Sequence, residues 1–187
     1  MNYHWDFKPL PPSQIIDTLR QIGFKPPFDT LLALRGISTR DEAYHFLNPS
    51  LQLLHNPFLM KGMQQAIDRI QKAIAAQECI LIYGDYDVDG TSAVSLMYRY
   101  FSKHTPHLFT YIPDRYTEGY GVSFQGIDYA AAQGCNLIIA LDCGIKAIDK
   151  VAYATQKGID FIIADHHRPS DDIPDAVAVL DPHQTDC

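Results

Sequence analysis

The stretch Cys79-Ile80-Leu81-Ile82-Tyr83-Gly84-Asp85-Tyr86-Asp87-Val88-Asp89-Gly90-Thr91-Ser92 decides how the chain is read. Its first half is a short apolar run rich in β-formers, the pattern of a strand buried on both faces of a parallel sheet. Its second half turns polar, with carboxylates at Asp85, Asp87 and Asp89, and a helical pattern begins at Thr91. Carboxylates crowded where a buried strand meets a helix repel one another and are costly to keep ionised. A divalent cation is the simplest way to offset that cost.

Outward from this stretch, apolar strands alternate with amphipathic helices. Strands are expected near 79–84, 107–112, 136–141, 159–164 and 176–180, and helices near 91–103, 123–133 and 146–157. Before them, residues 63–77 place Met63, Ala66, Ile67, Ile70, Ala73 and Ile74 on one helical face. This alternation predicts an α/β fold: a doubly wound, five-stranded, mostly parallel sheet with helices on both faces. A small helical segment precedes it. Pro9, Pro11 and Pro12 keep residues 1–12 extended. Short helices follow, one from a Ser13 cap to Gly23 and one from Phe28 to Arg35. A third opens at the capping-box pattern Ser38-Thr39-Arg40-Asp41 and runs to Leu47. Residues 48–61 are expected to connect, which gives an arm and helical segment at 1–61 and an α/β domain at 62–187.

The 187 residues, 47% of them hydrophobic, suffice for one large core with an appendage. A formal net charge of -7 argues against nucleic-acid binding through a uniformly basic surface, and leaves room for a local basic site. None of the four cysteines forms a C-x-x-C pair, and three lie in or beside apolar runs, which suits a reduced cytoplasmic protein without disulfides. No signal-peptide pattern and no membrane-length apolar run is seen, so no membrane partner is expected.

Ligands of a doubly wound sheet bind outside the carboxyl ends of its strands, and the unusual polar residues fall there. Asp85, Asp87 and Asp89 follow the first strand. The run from Tyr111 to Gly121 follows the second, Asp142-Cys143-Gly144 the third, and Asp165-His166-His167-Arg168 the fourth. Singly, each has a bland reading: Asp142 as a helix cap, the histidines as a solvated turn. Asp85-x-Asp87-x-Asp89-Gly90 could open an EF-hand loop, but the twelfth position is Leu96 rather than a bidentate Glu. Asp87-Val88-Asp89-Gly90-Thr91 also matches the opening of haloacid-dehalogenase-like phosphatases, a scheme that leaves Asp85 and the histidine pair without a role.

Gly84-Asp85-Tyr86-Asp87-Val88-Asp89-Gly90, Asp142-Cys143-Gly144 and Asp165-His166-His167 together resemble the first three motifs of the DHH phosphoesterases. Leu47-Asn48-Pro49-Ser50-Leu51, Asn56-Pro57-Phe58-Leu59-Met60 and Ile112-Pro113-Asp114-Arg115-Tyr116 through Gly119-Tyr120-Gly121 extend the likeness to the bacterial single-stranded-DNA exonuclease branch. The resemblance implies a pair of Mn²⁺ or Mg²⁺ ions held by Asp85, Asp87, Asp142 and His166, with Asp87 and Asp142 the better candidates for sharing them. It gives catalytic roles to His167, Asp165 and Arg168. Asp165 would be a further ligand or the carboxylate that orients His166, and His167 and Arg168 would face the scissile phosphate. Arg115 would bind a backbone phosphate. Tyr116 and Tyr120 would stack on a base or sugar, with packing as the equal alternative. Asp89 would only support the turn.

The implied activity is two-metal hydrolysis of single-stranded DNA from the 5′ end, releasing 5′-mononucleotides in repair and recombination. Where some relatives carry a histidine before the first aspartates, this chain has Tyr83 and Gly84. The family's fourth metal-binding Asp, its DHHA1 domain and an OB-type domain are expected beyond Cys187, together with any contacts to repair proteins. Three other readings stand beside this one: an inactive metal- or DNA-binding module, a phosphoesterase for oligoribonucleotides or cyclic dinucleotides, and the phosphatase.

Overall fold

The computed structural model describes residues 4–187. The chain packs as two compact units, Met1–His55 and Asn56–Cys187.

The first unit holds α1 (Ser13–Gln21), α2 (Phe28–Leu34) and α3 (Arg40–Leu47) around Leu19, Leu32, Ala33, Ile37 and Ala43. Residues 4–12 carry no regular structure. Ser13 lies in the first turn of α1 rather than at its cap, which Pro12 occupies without a side-chain bond. The capping box of α3 forms one residue later than the sequence pattern places it. Thr39 Oγ1 accepts the Glu42 N–H at 3.2 Å, and the Glu42 carboxylate accepts the N–H groups of Thr39 and Ser38 at 3.0 and 2.7 Å. Glu reaches back where the shorter Asp41 falls short.

The second unit is the α/β fold. Its elements run α4 (Met63–Ala75), β1 (Cys79–Gly84), α5 (Val88–Phe101), β2 (Leu108–Tyr111), α6 (Phe124–Ala132), β3 (Cys135–Leu141), α7 (Ile148–Gln156), β4 (Asp160–Ala164) and β5 (Ala178–Leu180). The sheet order is β2-β1-β3-β4-β5 and every pairing is parallel. Leu81, Tyr83, Ile138, Phe161 and Ile163 face α6 and α7 residues such as Ile127, Ala130, Val151 and Ala154. Ile80, Ile82, Leu137, Ile139 and Ile162 face Ala66 and Ala73 of α4 and Val94 and Phe101 of α5. Each fully buried Ile or Leu contributes about 1.5–3 kcal/mol, so the sheet is a rigid frame for the loops at its ends. No helix among the described residues is long and apolar enough to cross a membrane.

Two details tie this frame to the polar edge. The helix α5 starts at Val88, three residues before the expected Thr91, because Asp87 Oδ1 accepts the N–H groups of Asp89 and Gly90, both at 3.0 Å. The acidic run is therefore the first turn of a helix. That turn lies directly on β1: a Cβ at Gly90 would press into the Asp85 backbone, and one at Gly84 into Val94 and the Gly90 carbonyl.

Candidate metal centre

Register brings the acids together. Gly84 pairs with Leu141, Leu141 with Ala164, and Ala164 with Leu180. The residue after each is Asp85, Asp142, Asp165 and Asp181, so four neighbouring strands end in aspartates at one level. Adjacent strands lie about 4.8 Å apart, which sets the spacing of the row. The row crosses the gap between β1 and β3, where the sheet order reverses and ligands of such folds bind.

Asp85 is fully buried; Oδ1 accepts the Gly121 N–H at 3.3 Å and Oδ2 has no partner. Asp87 caps α5 and lies beside Asp142. The N–H of Gly90 lowers its pKa most, outweighing desolvation, and the N–H of Asp89, the Asp142 carboxyl and the charge of His167 lower it further. Asp142 moves the other way. Burial raises its pKa, repulsion from Asp87 raises it again, and the hydrogen bond from His166 only partly opposes them. Asp142 adopts a left-handed backbone, φ 59°, a conformation Asp tolerates. Its Oδ1 meets His166 Nε2 at 2.9 Å and its buried Oδ2 has no partner.

Asp165 is used up by its own loop and the loop after β3. Oδ1 accepts the N–H groups of His166 and His167, at 2.7 and 3.1 Å, and meets His167 Nδ1 at 2.7 Å; Oδ2 accepts the Ile145 N–H at 3.0 Å. Burial alone would raise its pKa, but these bonds hold it below the usual value. It orients His167 directly, where the sequence reading paired it with His166. The Asp165 bond in turn raises the pKa of His167. The Nε2 of His167 meets the Tyr120 hydroxyl at 3.0 Å. Ligand atoms of Asp142, His166 and His167 all lie within 4.8 Å of one another.

The other expected residues divide. Tyr120 joins the site through His167, and its ring meets Tyr86 edge-on at 6.0 Å. The Arg115 guanidinium lies 5.3 Å from the centre of the Tyr86 ring. Tyr116 is 93% exposed and touches nothing in the cluster. Arg168 is exposed and makes no hydrogen bond or ion pair among the described residues, so the structure does not bring it to the cluster. Beside His167 a cleft of about 230 Å³ opens between Tyr120–Val122 and Cys143–Ala147, with Lys146 and Lys150 on its wall.

Sequence reasoning gave no role to four participants, setting Asp181 aside as too close to the histidines. Asp181 closes the aspartate row; it is fully buried, accepts the His183 N–H at 2.7 Å through Oδ1, and leaves Oδ2 unpartnered. Its place directly after a strand was the available signal. Tyr83, standing where some relatives carry a histidine, is no ligand: it points into the core and donates to the Gly121 carbonyl at 2.9 Å. Glu118 and Ser123 meet across the loop that carries Arg115 and Tyr120.

A cation fits the arrangement on structural grounds. Asp85 and Asp142 each keep a buried carboxylate oxygen with no hydrogen bond, which is costly unless an ion or a proton takes it. The donor set of carboxylate oxygens and imidazole nitrogens suits Mn²⁺ or Mg²⁺.

Comparisons with known proteins agree with this geometry. A model of the DHH family, N-terminal domain, matches residues 79–187. The chain is 38% identical over 183 residues to the single-stranded-DNA-specific exonuclease RecJ of Bacillus subtilis, covering 98% of this chain and 23% of that protein. It is 31% identical over 163 residues to RecJ of Haemophilus influenzae, covering 87% of this chain and 28% of that protein. The chain thus spans about a quarter of the length of these relatives. A crystal structure of exonuclease RecJ bound to manganese superposes with a TM-score of 0.64 at 26% identity, over 71% of this chain and 34% of that one. RecJ from Thermus thermophilus in complex with Mn²⁺ shares the fold, with a TM-score of 0.67 at 22% identity, over 92% of this chain and 24% of that one. Three acidic motifs on successive strand ends and a family match over more than half of the residues place the chain in the DHH family.

Proposed function

We propose that this chain forms the catalytic face of a metal-dependent phosphodiesterase that degrades single-stranded DNA from its 5′ end and releases 5′-mononucleotides. The observation that carries the reading is the row of strand-end aspartates, in which Asp85, Asp142 and Asp181 each keep an unpartnered buried oxygen, set against a histidine pair. Asp85, Asp87, Asp142 and His166 would hold a pair of Mn²⁺ or Mg²⁺ ions. Bound there, such ions supply Lewis acidity and bring the deprotonation of water near neutral pH.

The chain's own residues do the rest. Asp165 fixes the ring of His167 through Nδ1 and leaves Nε2 facing the Tyr120 hydroxyl. In its protonated form His167 is thereby placed to donate a hydrogen bond from Nε2 to a phosphoryl oxygen as negative charge builds on it. Arg115, steadied over Tyr86, offers a planar fork to a neighbouring phosphate. Tyr120 offers a half-exposed ring to a base or sugar. Arg168 stands outside the cluster and would act only on a substrate phosphate that comes to it. Nothing in the arrangement demands a basic protein, because the attraction to DNA is local to the cleft. A cytoplasmic location fits the reading.

The test uses single-stranded DNA labelled at its 5′ end, incubated with Mn²⁺ and the natural protein that carries this chain. Mononucleotides should be released, and Asp87→Ala should stop the release. Release unaffected by that substitution would contradict the reading. A second outcome, metal binding without turnover by residues 1–187 alone, would mean that this face needs groups from elsewhere in the natural protein.

A further inference from the structure

The loop between β2 and α6 is held by two carboxylates: Asp114 Oδ1 shapes its first turn by accepting the N–H groups of Tyr116 and Thr117 and the Thr117 hydroxyl, and Glu118 ties its two ends together. Glu118 Oε1 accepts the Asp114 N–H at 2.8 Å, and Oε2 accepts the hydroxyls of Tyr111, at 2.9 Å, and Ser123. Each donor comes from a different place: the end of β2, the start of the loop and the cap of α6. The Ser123 hydroxyl also accepts the Gly126 N–H at 2.9 Å, and the Ser123 N–H donates to the Tyr83 hydroxyl at 3.1 Å. Tyr83 in turn donates to the Gly121 carbonyl, while the Gly121 N–H reaches Asp85. The chain between Asp114 and Ser123 is therefore closed on itself by Glu118 and tied to the first aspartate of the cluster. Gly119 and Gly121, at φ 84° and 81°, make the turns that closure requires. Arg115, over the Tyr86 ring, and Tyr120, which meets His167, sit inside the closed loop.

We propose that Glu118 is a positioning residue: it holds the 114–121 loop shut so that Arg115 and Tyr120 meet substrate as one preformed unit. The proposal rests on the reading that this loop binds substrate, and goes beyond it in naming the group that orders it. A side chain fixed by three donors of its own fold is set aside from substrate contact. Its loss leaves two hydroxyls and an amide without their acceptor, and the loop opens.

Two measurements test this. Trypsin cuts after Arg115 and reports loop opening without any need for activity. Cleavage of an open segment follows its population, so Glu118→Ala should raise cutting at Arg115–Tyr116 about tenfold, with cutting after Arg69 and Arg99 in the neighbouring helices unchanged. Glu118→Gln cannot accept on both sides at once and should give an intermediate rise; it serves as the second variant where the alanine form does not fold. In the natural protein carrying the chain, both variants should raise KM for single-stranded DNA, by about tenfold for alanine, a larger effect than on kcat. No extra cutting at Arg115 in either variant overturns the proposal. An opened loop with unchanged KM overturns its link to substrate. A wild-type protein that hydrolyses no DNA counts against the proposed activity, while the trypsin measurement still decides whether Glu118 closes the loop.

Discussion

Asp142 is the residue on which most of the site converges. It ends β3 with a left-handed backbone, meets His166 through one oxygen and leaves the other buried and unpartnered. Its pKa is raised by burial and then by Asp87 beside it. Replacing it should be felt in metal binding before anything else. Asp142→Ala is expected to weaken Mn²⁺ binding by more than about 100-fold, since substitutions behind metal ligands already cost 10- to 100-fold. Asp165 has the opposite character, with four donors on two oxygens. Asp165→Asn must turn an NH₂ toward some of them. It should lose about 1–3 kcal/mol of stability in thermal unfolding and release His167 from its fixed orientation. A variant as stable as wild type, with its His167 imidazole resonances unchanged by NMR, would show that Asp165 does not hold the ring. At this scale the sequence disclosed which residue types gather, because each follows an apolar run. It did not disclose who touches whom. Asp165 pairs with His167 rather than His166, and Glu118 looked like one more polar loop residue, because such pairings depend on loops folding back over tens of residues.

The strand–helix unit β1–α5 shows how an element makes a site possible. Its polar turn is a metal-ligand run and a helix start at once, and Asp87 serves both. The sequence pattern places the helix start at Thr91, three residues after the observed one. Caps and ligands use the same oxygens, so composition alone cannot separate them. Close approach makes the turn intolerant of any Cβ at Gly90. Gly90→Ala should destabilise by about 1–3 kcal/mol and abolish Mn²⁺ binding together with it; full metal affinity in this variant would mean that the turn is looser than its packing indicates. The helical unit offers a control remote from metal chemistry. Thr39→Ala removes one half of the capping box and should lower the stability of α3 by about 1 kcal/mol, read as faster amide exchange at Glu42, with no change in metal binding.

For the whole molecule, the order of strands and helices was legible because periodicity in the α/β unit is strong and unbroken. The parallel sheet was legible with them; the row of four aspartates was not, since register is set by pairing across strands and Asp181 follows only a three-residue strand. Acid should unfold the helical unit early. Asp29 is held below the ordinary carboxylate value of 3.8: burial opposes this, and the bonds from Arg20 and Thr30 outweigh it. Glu42 is lowered from 4.5 by the N–H and hydroxyl of Ser38 and the N–H of Thr39. A carboxylate with a depressed folded-state pKa lends stability that is full above its unfolded value and fades as pH falls through the folded one. Stability should therefore hold above about pH 5 and decline below about pH 4, and Asp29→Asn should flatten that decline in denaturant titrations at successive pH values.

The central claim is that Asp85, Asp87, Asp142 and His166 form one metal site. A calorimetric titration of Mn²⁺ into the wild-type chain and into Asp87→Ala and Asp142→Ala tests it most directly. The account predicts saturable binding by the wild type that both substitutions abolish while the variants stay folded by circular dichroism. Binding of equal strength in all three proteins would contradict it.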